Sequence, residues 1–465
     1  VDKVKPILGV SLLVALTAGA VAGPNAPAEG IAVDNEWVRE WRKERNALLE
    51  KDPGLAYDPT SVLVQFRPDA APEKVELVKQ LILGATVQEF PLTPGLQHVA
   101  IARSVDEAVT MGELVGRALG AVEYIEPDHI YRLGATPNDT YYSLLWGLHN
   151  TGQTVNGDPG IADADIDGPE AWDVTTGGSS FVIAVCDSGL RRTHEDISGN
   201  LWTNPGEIAG NRVDDDRNGY VDDTQGWDFY FNDNDPNDGN GHGTHVAGTI
   251  GAKGNNAKGV AGVNWNCRLV SLRIANNQGA ISSTAAINAI NYCVGKGIKI
   301  SNHSWGGGGY SSSMFNTINA ARTAGHLVVA ASGNGGADGI GDNNDVTPQY
   351  PASYNLDNII SVAAINNNNG LASFSNYGAT TVDLAAPGVM IASCWNSANN
   401  AYVYLDGTSM ATPHVTGVAA LVWARNPAWT YSQVRSKLLT TTSPASSLTG
   451  KCATGGVLNA NNAVR

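Results

Sequence analysis

Three short stretches of this 465-residue chain carry side chains that could do nucleophilic chemistry. The first is Gly407-Thr408-Ser409-Met410-Ala411-Thr412-Pro413-His414, a small-residue loop that runs into a helical pattern through Val415, Val418, Ala419, Leu421 and Val422. A serine at such a junction meets unpaired backbone N–H groups and the positive end of a helix dipole. Gly407 leaves room for a substrate, and Pro413 is expected in the first helical turn, where the ring is tolerated. The second stretch is Val185-Cys186-Asp187-Ser188-Gly189, and the third is Gly239-Asn240-Gly241-His242-Gly243-Thr244-His245-Val246-Ala247-Gly248-Thr249. A hydroxyl is a poor nucleophile at neutral pH, so a base must take its proton during attack. His242 can be that base, and Asp187 can orient the imidazole and stabilise it once charged. Asp, then His, then Ser is one of the known chain orders of such a triad. Singly, each residue has an ordinary reading: Asp187 as a turn former, His242 as a helix cap, Ser409 as an N-cap. Together they favour acyl transfer.

The three motifs resemble those of subtilisin-type (subtilase) serine proteases, with a thermitase-like pattern. The resemblance selects His242 over His245, which lies one helical turn further in. Ala330-Ala331-Ser332-Gly333-Asn334-Gly335 resembles the loop that carries the oxyanion-stabilising Asn, so Asn334 takes that role with the Ser409 N–H. Substrate would bind as an added strand. Ser304, Trp305 and Gly306 match the family's substrate edge, with Trp305 standing where an aliphatic residue is usual and expected to narrow the S1 or S4 subsite. Ala331, Ser332 and Gly333 would form the other S1 wall and Gln349 its floor. Gln349 is neutral, so no strong demand for Lys or Arg at P1 is expected and a broad endopeptidase is implied. Two other classes share these residues: an acyl transferase such as a peptide ligase, and a non-catalytic binding protein of the same fold. The intact quartet argues against the second.

Calcium is implied as well. Matching the thermitase pattern, one site would use Asp139, Asp196 and Asn256 with the carbonyls of Lys253, Lys258 and Val260. A second would use Asp228, Asp233 and Asp235, with Asn237 as a further candidate; Phe231 replaces an acid there. A third set is Asp214, Asp216 and Asn218, which have the one-face spacing of an EF-hand loop, followed by Gly219 for the turn. Gln225 stands where that loop would end in a bidentate Glu. Calcium suits such sites because it takes many hard oxygen ligands at flexible geometry.

The elements that must position these groups follow from periodicity. Short apolar runs at 181–186, 268–274, 299–303, 327–331 and 359–364 alternate with helical stretches at 242–251, 284–294 and 314–324. That alternation predicts an α/β fold, a doubly wound, mainly parallel sheet with helices on both faces. Functional residues should gather at the carboxyl ends of its strands. Residues 135–465 are read as this catalytic domain. Residues 58–134 read as strand, helix, two strands, helix, strand, a ferredoxin-like α+β order. By resemblance, through Val62-Leu63-Val64-Gln65-Phe66-Arg67-Pro68 and Tyr124-Ile125-Glu126-Pro127-Asp128, this unit is the inhibitory propeptide. Self-cleavage would then fall between Tyr131 and Asp139. Residues 23–57 form an N-terminal segment that includes an exposed amphipathic helix over 35–49.

Composition bounds the rest. Apolar residues make up 42% of the chain, enough for a full core, and the net charge of −16 disfavours nucleic acid as a partner. Residues 1–22 read as a secretory signal: Lys3 and Lys5, an apolar run, then Ala20-Val21-Ala22 as a cleavage site. Secretion is expected, with no membrane anchor after cleavage. Nothing signals oligomerisation, so a monomer acting on polypeptide substrates is expected, with its own propeptide as inhibitor. The five cysteines leave at least one thiol unpaired. Cys186 reads as a buried free thiol. A Cys267–Cys293 bridge, a Cys394–Cys452 bridge and free thiols throughout all remain open.

Overall fold

The computed structural model of the chain describes residues 35–51, 55, 57–130, 136–155 and 157–465. The signal segment 1–22 lies outside them. The chain divides into two compact units, residues 1–133 and 134–465.

In the first unit, strands β1 (Tyr57–Phe66), β2 (Gly84–Glu89), β3 (Leu96–Ile101) and β4 (Val122–His129) form an antiparallel sheet in the order β2-β3-β1-β4. This is the ferredoxin-like order. Helix α1 (Glu36–Lys51) corrects the expectation of an exposed N-terminal helix. Val38 and Trp41 are buried against Val87 and Ala100. Arg45 pairs with the buried Asp58 of β1, and its Nη2 lies 3.7 Å from Asp128 on β4. The helix belongs to this unit because its apolar stripe covers one sheet face, an event its charge-rich sequence conceals. Helices α2 (Pro72–Leu81) and α3 (Val105–Met111) supply Val78, Val105 and Ala108 to the unit's main core.

The second unit is built on a nine-stranded sheet. Its strands are β5 (Gly177–Asp187), β6 (Gly226–Asp228), β7 (Asn266–Arg273), β8 (Ile300–His303), β9 (Leu327–Ala331), β10 (Ile359–Ile365) and β11 (Leu384–Pro387). Beyond the hairpin of β12 (Ile391–Trp395) and β13 (Ala401–Leu405) come the short β14 (Ser443–Pro444) and β15 (Gly456–Val457). The sheet order is β14-β15-β11-β10-β9-β8-β5-β7-β6, parallel throughout except at the β14–β15 pair. The fold is therefore a doubly wound α/β sheet. Side-chain alternation along its strands divides the core in two. Ile183, Val185, Leu269, Val329 and Val362 face α4 (His242–Gly251), α7 (Thr408–Arg425) and α8 (Tyr431–Thr440). Ala184, Cys186, Val270, Leu272 and Val328 face α5 (Ser283–Gly295) and α6 (Ser312–Thr323) on the other side. Ser282, Ser311 and Thr430 cap the last three flanking helices in chain order apart from α7, accepting from the Ala285, Met314 and Gln433 N–H groups. From β5 the chain order runs one way through β8 to β11 and the other way through β7 and β6. That reversal opens a crevice at the carboxyl end of β5, where Asp187 ends the strand.

All five cysteines are free and buried. The Cys267–Cys293 bridge fails because the two thiols face opposite sides of the sheet, Cys267 toward α4 and Cys293 in the core around α5. The neighbour of Cys293 is Cys186. Cys394 and Cys452 also lie in separate cores.

Candidate active site

The four side chains singled out above sit at the carboxyl edge of the sheet. Asp187 closes β5 and is 3% exposed. Its Oδ1 accepts from His242 Nδ1 at 2.8 Å and from the Ser188 N–H at 2.7 Å. Its Oδ2 is buried with no partner among the described residues, so the carboxylate's charge is not shared among further donors. A carboxylate only accepts, so the imidazole proton sits on Nδ1 and Nε2 is the available base. The His242 side chain is 31% exposed. Burial works against its charging, but the field and hydrogen bond of Asp187, with a further push from Asp238, hold its pKa above the ordinary 6.5. His245, one turn on, turns inward to the Ile391 carbonyl, and burial pushes its pKa down to about 3. Gly243 is required between them. A Cβ there would stand 2.2 Å from the Gly189 carbonyl and 3.2 Å from Asp187 Oδ1.

Ser409 is the second residue of α7, which packs against α4. Pro413 lies in the second turn of α7, not the first. Lacking an N–H, it leaves the Ser409 carbonyl without its helical donor. Ser304 Oγ fills that gap at 2.8 Å, and Ser409 Oγ donates back to the Ser304 carbonyl at 3.0 Å. The proline thus turns a helix defect into a tie between the serine and the edge after β8. In this state Ser409 Oγ bonds Ser304 and not His242; such contacts commonly tighten only with substrate bound.

Asn334 follows β9. Its Oδ1 accepts from the Thr408 N–H at 2.8 Å and from Thr408 Oγ1 at 2.9 Å. A backbone N–H can only donate, so the amide oxygen is fixed on that side and Nδ2 points away from it. A Cβ on Gly407 would lie 3.6 Å from Nδ2 and 3.5 Å from the Ser409 nitrogen. The bare glycine therefore leaves open the space beside both donors. The sequence does not mark Thr408, which makes both bonds to Asn334 Oδ1, except by its place next to Ser409. Asn376 supports the same loop, accepting from the Gly335 and Asp342 N–H groups.

The residues expected to form the substrate walls are brought to one edge. Gly306 and Gly307 lie beside Tyr350, whose carbonyl accepts from the Gly307 N–H at 3.1 Å. Ala331 and Ser332 are buried at the end of β9, and Gln349 Cγ approaches Gly333. Trp305 stands two residues beyond β8. Its Nε1 donates to the Cys186 carbonyl at 3.0 Å, and its ring meets His303 edge-on at 5.4 Å. The indole is anchored on the strand that carries Asp187.

The three acidic sets differ. Asp139 and Asp196 are both buried, Asp139 Oδ1 has no partner, and no lysine or arginine pairs with either among the described residues. Burial, and in smaller part the charge of Asp196, raise the Asp139 pKa. Asn256 Nδ2 donates to Asp196 Oδ1 at 2.9 Å, and the Val260 N–H to Asp196 Oδ2 at 2.9 Å. Lys253 and Lys258 flank Asn256, their backbones tied to Asp196 and Asn256. Two close, uncompensated carboxylates with an orphan oxygen fit a hard cation. The second set does not fit one. Arg273 Nε stands 3.2 Å from Asp228, Arg192 pairs with Asp235, and Asp233 Oδ1 takes the Asp235 N–H. Guanidinium groups already supply the positive charge. The third set also fails to converge. Asp214 and Asn218 bond the backbone of their own loop, at Asn218, Gly219 and Tyr220, while Asp216 pairs with Lys296. The carboxylates that gather with Asp216 are Glu207 and Asp223, and Lys296 Nζ lies 3.6 Å from Asp223.

Among the described residues no helix is long and apolar enough to cross a membrane. Residues 178–462 match the sequence model of the subtilase family. The chain is 35% identical over 425 residues to a thermophilic serine proteinase of Bacillus sp. (strain AK1), covering 90% of each. It is 37% identical over 287 residues to thermitase of Thermoactinomyces vulgaris, covering 62% of this chain and 85% of that one. A protease structure from Pseudoalteromonas arctica PAMC 21717 superposes with a TM-score of 0.55 at 31% identity, over 71% of this chain and 99% of that one. With this match spanning the sheet, its helices and the edge where Asp187, His242, Asn334 and Ser409 lie, the chain belongs to the subtilase family of serine endopeptidases and acts on polypeptides.

Proposed function

We propose that Ser409 is the nucleophile, His242 the general base, Asp187 its orienting partner and Asn334 the oxyanion donor of a broad, secreted, self-processing endopeptidase. The observation that carries this is the 2.8 Å His242–Asp187 bond at the carboxyl end of β5, on the same sheet edge as an Asn334 amide whose oxygen Thr408 holds away from the pocket. Ser409 Oγ rotates off the Ser304 carbonyl, gives its proton to His242 Nε2 and attacks the scissile carbonyl. The new oxyanion takes the Ser409 N–H and Asn334 Nδ2. His242 then passes the proton to the leaving amine, and water repeats the sequence on the acyl-enzyme. Labelling of the chain by a fluorophosphonate and casein hydrolysis, both lost in Ser409→Ala, would support this assignment; an unlabelled, folded wild-type chain would sink it.

Residues 58–134 act in this scheme as an intramolecular inhibitor, released by a cut between Tyr131 and Asp139. The ferredoxin-like order of the first unit supports it. Ser409→Ala should stay full length, and a wild-type chain that is active while uncut would refute the precursor scheme. Ser304, Gly306, Ala331, Ser332, Gly333 and Gln349 line the S1 site, with Trp305 shaping it from behind; the neutral Gln349 supports broad P1 acceptance. The signal-like residues 1–22 support secretion, as does 34% identity over 435 residues to an extracellular protease of Xanthomonas campestris pv. campestris. Asp139, Asp196 and Asn256, with the Lys253, Lys258 and Val260 carbonyls, would hold a structural calcium, which would neutralise two buried carboxylates.

A further inference from the structure

The triad needs two pieces of chain held in register, the turn after β5 and the start of α4. One carboxylate joins them. Asp238 is 5% exposed, in the loop before α4. Its Oδ1 accepts from Ser188 Oγ at 2.9 Å and from the N–H groups of Asn240 and Gly241 at 2.9 and 2.8 Å. Its Oδ2 accepts from the N–H and hydroxyl of Thr244 at 2.9 and 2.6 Å. Ser188 Oγ accepts in turn from the Gly243 N–H at 2.9 Å. The residue after Asp187 and the residues on both sides of His242 thus converge on one side chain. We propose that Asp238 is a positioning residue for the reaction, a buried anion that clamps the start of the histidine helix to the aspartate turn through Ser188. This rests on reading Asp187, His242 and Ser409 as the triad.

The chemistry admits no easy substitute. Gly241, which precedes α4, has no side chain to cap it, so the helix's first N–H groups must be satisfied from elsewhere. A carboxylate at that end also meets the positive pole of the helix dipole. Both oxygens of Asp238 face donors, so an asparagine would turn its –NH2 against N–H or O–H groups whichever way it lay. Asp238 also acts on His242 through its charge. The titratable groups around that imidazole are Asp187 on β5, Asp238, and His245 further along α4. His245 is held neutral by burial, as is His414 on α7, which faces it. Removing Asp238's charge therefore leaves Asp187 as the one carboxylate in that group favouring the imidazolium.

The test uses the full chain with Asp238→Asn, Ser188→Ala and the double variant. Sites are counted by fluorophosphonate titration, and kcat, KM and the pH profile are measured on a peptide p-nitroanilide. Asp238→Asn should lower kcat per titrated site about tenfold to a hundredfold, the scale of a small misplacement of a reacting group. KM should stay within twofold, and the acid limb of kcat/KM should move to lower pH. Ser188→Ala should lower kcat and leave the acid limb in place, because it breaks the bridge without removing a charge. The double variant should be no worse than Asp238→Asn alone. Sites in Asp238→Asn that turn over at the wild-type rate with an unmoved acid limb, even if fewer, would overturn the proposal. Should Asp238→Asn fail to fold, wild-type turnover in Ser188→Ala would overturn it. An unlabelled wild-type chain would sink this proposal and the triad together; a labelled wild type beside an unaffected Asp238→Asn sinks this proposal alone.

Discussion

Thr408→Val isolates how Asn334, the proposed oxyanion donor, is aimed. The change keeps the shape of a fully buried side chain and removes one hydroxyl. That hydroxyl donates to Asn334 Oδ1 at 2.9 Å and accepts from the Gly333 N–H at 3.2 Å. The Thr408 N–H to Asn334 Oδ1 bond at 2.8 Å survives, so the amide loses one of two tethers. A lost neutral hydrogen bond costs roughly 0.5–1.5 kcal/mol net. A further share comes from the Gly333 N–H left without its acceptor. If about 1.5 kcal/mol of this falls on the transition state, kcat drops about tenfold. For comparison, loss of the equivalent Asn in subtilisin itself has a measured cost of about 10²–10³ in turnover. KM should barely change, because the donor acts on charge that develops only in the transition state. Steady-state kinetics on a p-nitroanilide peptide, normalised to titrated sites, reads the effect. In an Asn334→Leu background the same substitution should cost almost nothing, since the group it aims is gone. Retention of more than half the wild-type kcat, or an equal tenfold loss in both backgrounds, would refute the reasoning.

If His242 is the base, as proposed, its raised pKa sets the acid limb of activity. The base must be neutral, so kcat/KM falls as pH drops through that value, and its half-point should lie above pH 6.5; a half-point below 6.5 would contradict the geometry. EDTA should lower the melting temperature by at least about 5 °C if a cation holds Asp139 and Asp196 together, given about 2–4 °C per kcal/mol in a domain of this order of size. Asp139→Asn should melt at the same temperature with and without added calcium, and an EDTA-insensitive wild type would rule the site out. Trp41→Ala should destabilise the first unit by about 3–5 kcal/mol, as expected for a deleted buried indole. Urea unfolding of the uncleaved Ser409→Ala chain would show it as an earlier first transition, and an unshifted transition would mean that α1 contributes little.

Much of the candidate site is legible in the sequence because its residues lie in contiguous stretches. Asp187, His242, Asn334 and Ser409 each stand inside a run whose neighbours are constrained by local backbone demands, such as Gly243 beside Asp187 and Gly407 beside the donors. The strand–helix alternation was legible for the same reason: a period of two or of 3.6 is a property of adjacent residues. What escaped was whatever depends on a partner distant in the chain. Whether a helix is exposed depends on which sheet face it finds, so Trp41 looked solvated and is buried. The pairing of Cys267 with Cys293 failed because alternation along β7 sends one thiol to one side of the sheet while α5 packs on the other.

Sequence by itself determined the doubly wound class and supplied the candidate nucleophile, base and donor and the expected two-unit order, since these rest on local pattern. Only the tertiary structure decided which acidic clusters keep their charge uncompensated. Arg192, Arg273 and Lys296 reach two of the three from other elements, and among the described residues no lysine or arginine pairs with Asp139 or Asp196. The same holds for Asp238, an ordinary loop aspartate in the chain. Its five donors come from four residues: Asn240, Gly241 and Thr244 close by at the start of α4, and Ser188, brought from the turn after β5. A side chain's spacing says what it could bind; which charges and donors fold onto it is a long-range outcome, and that sets what it does.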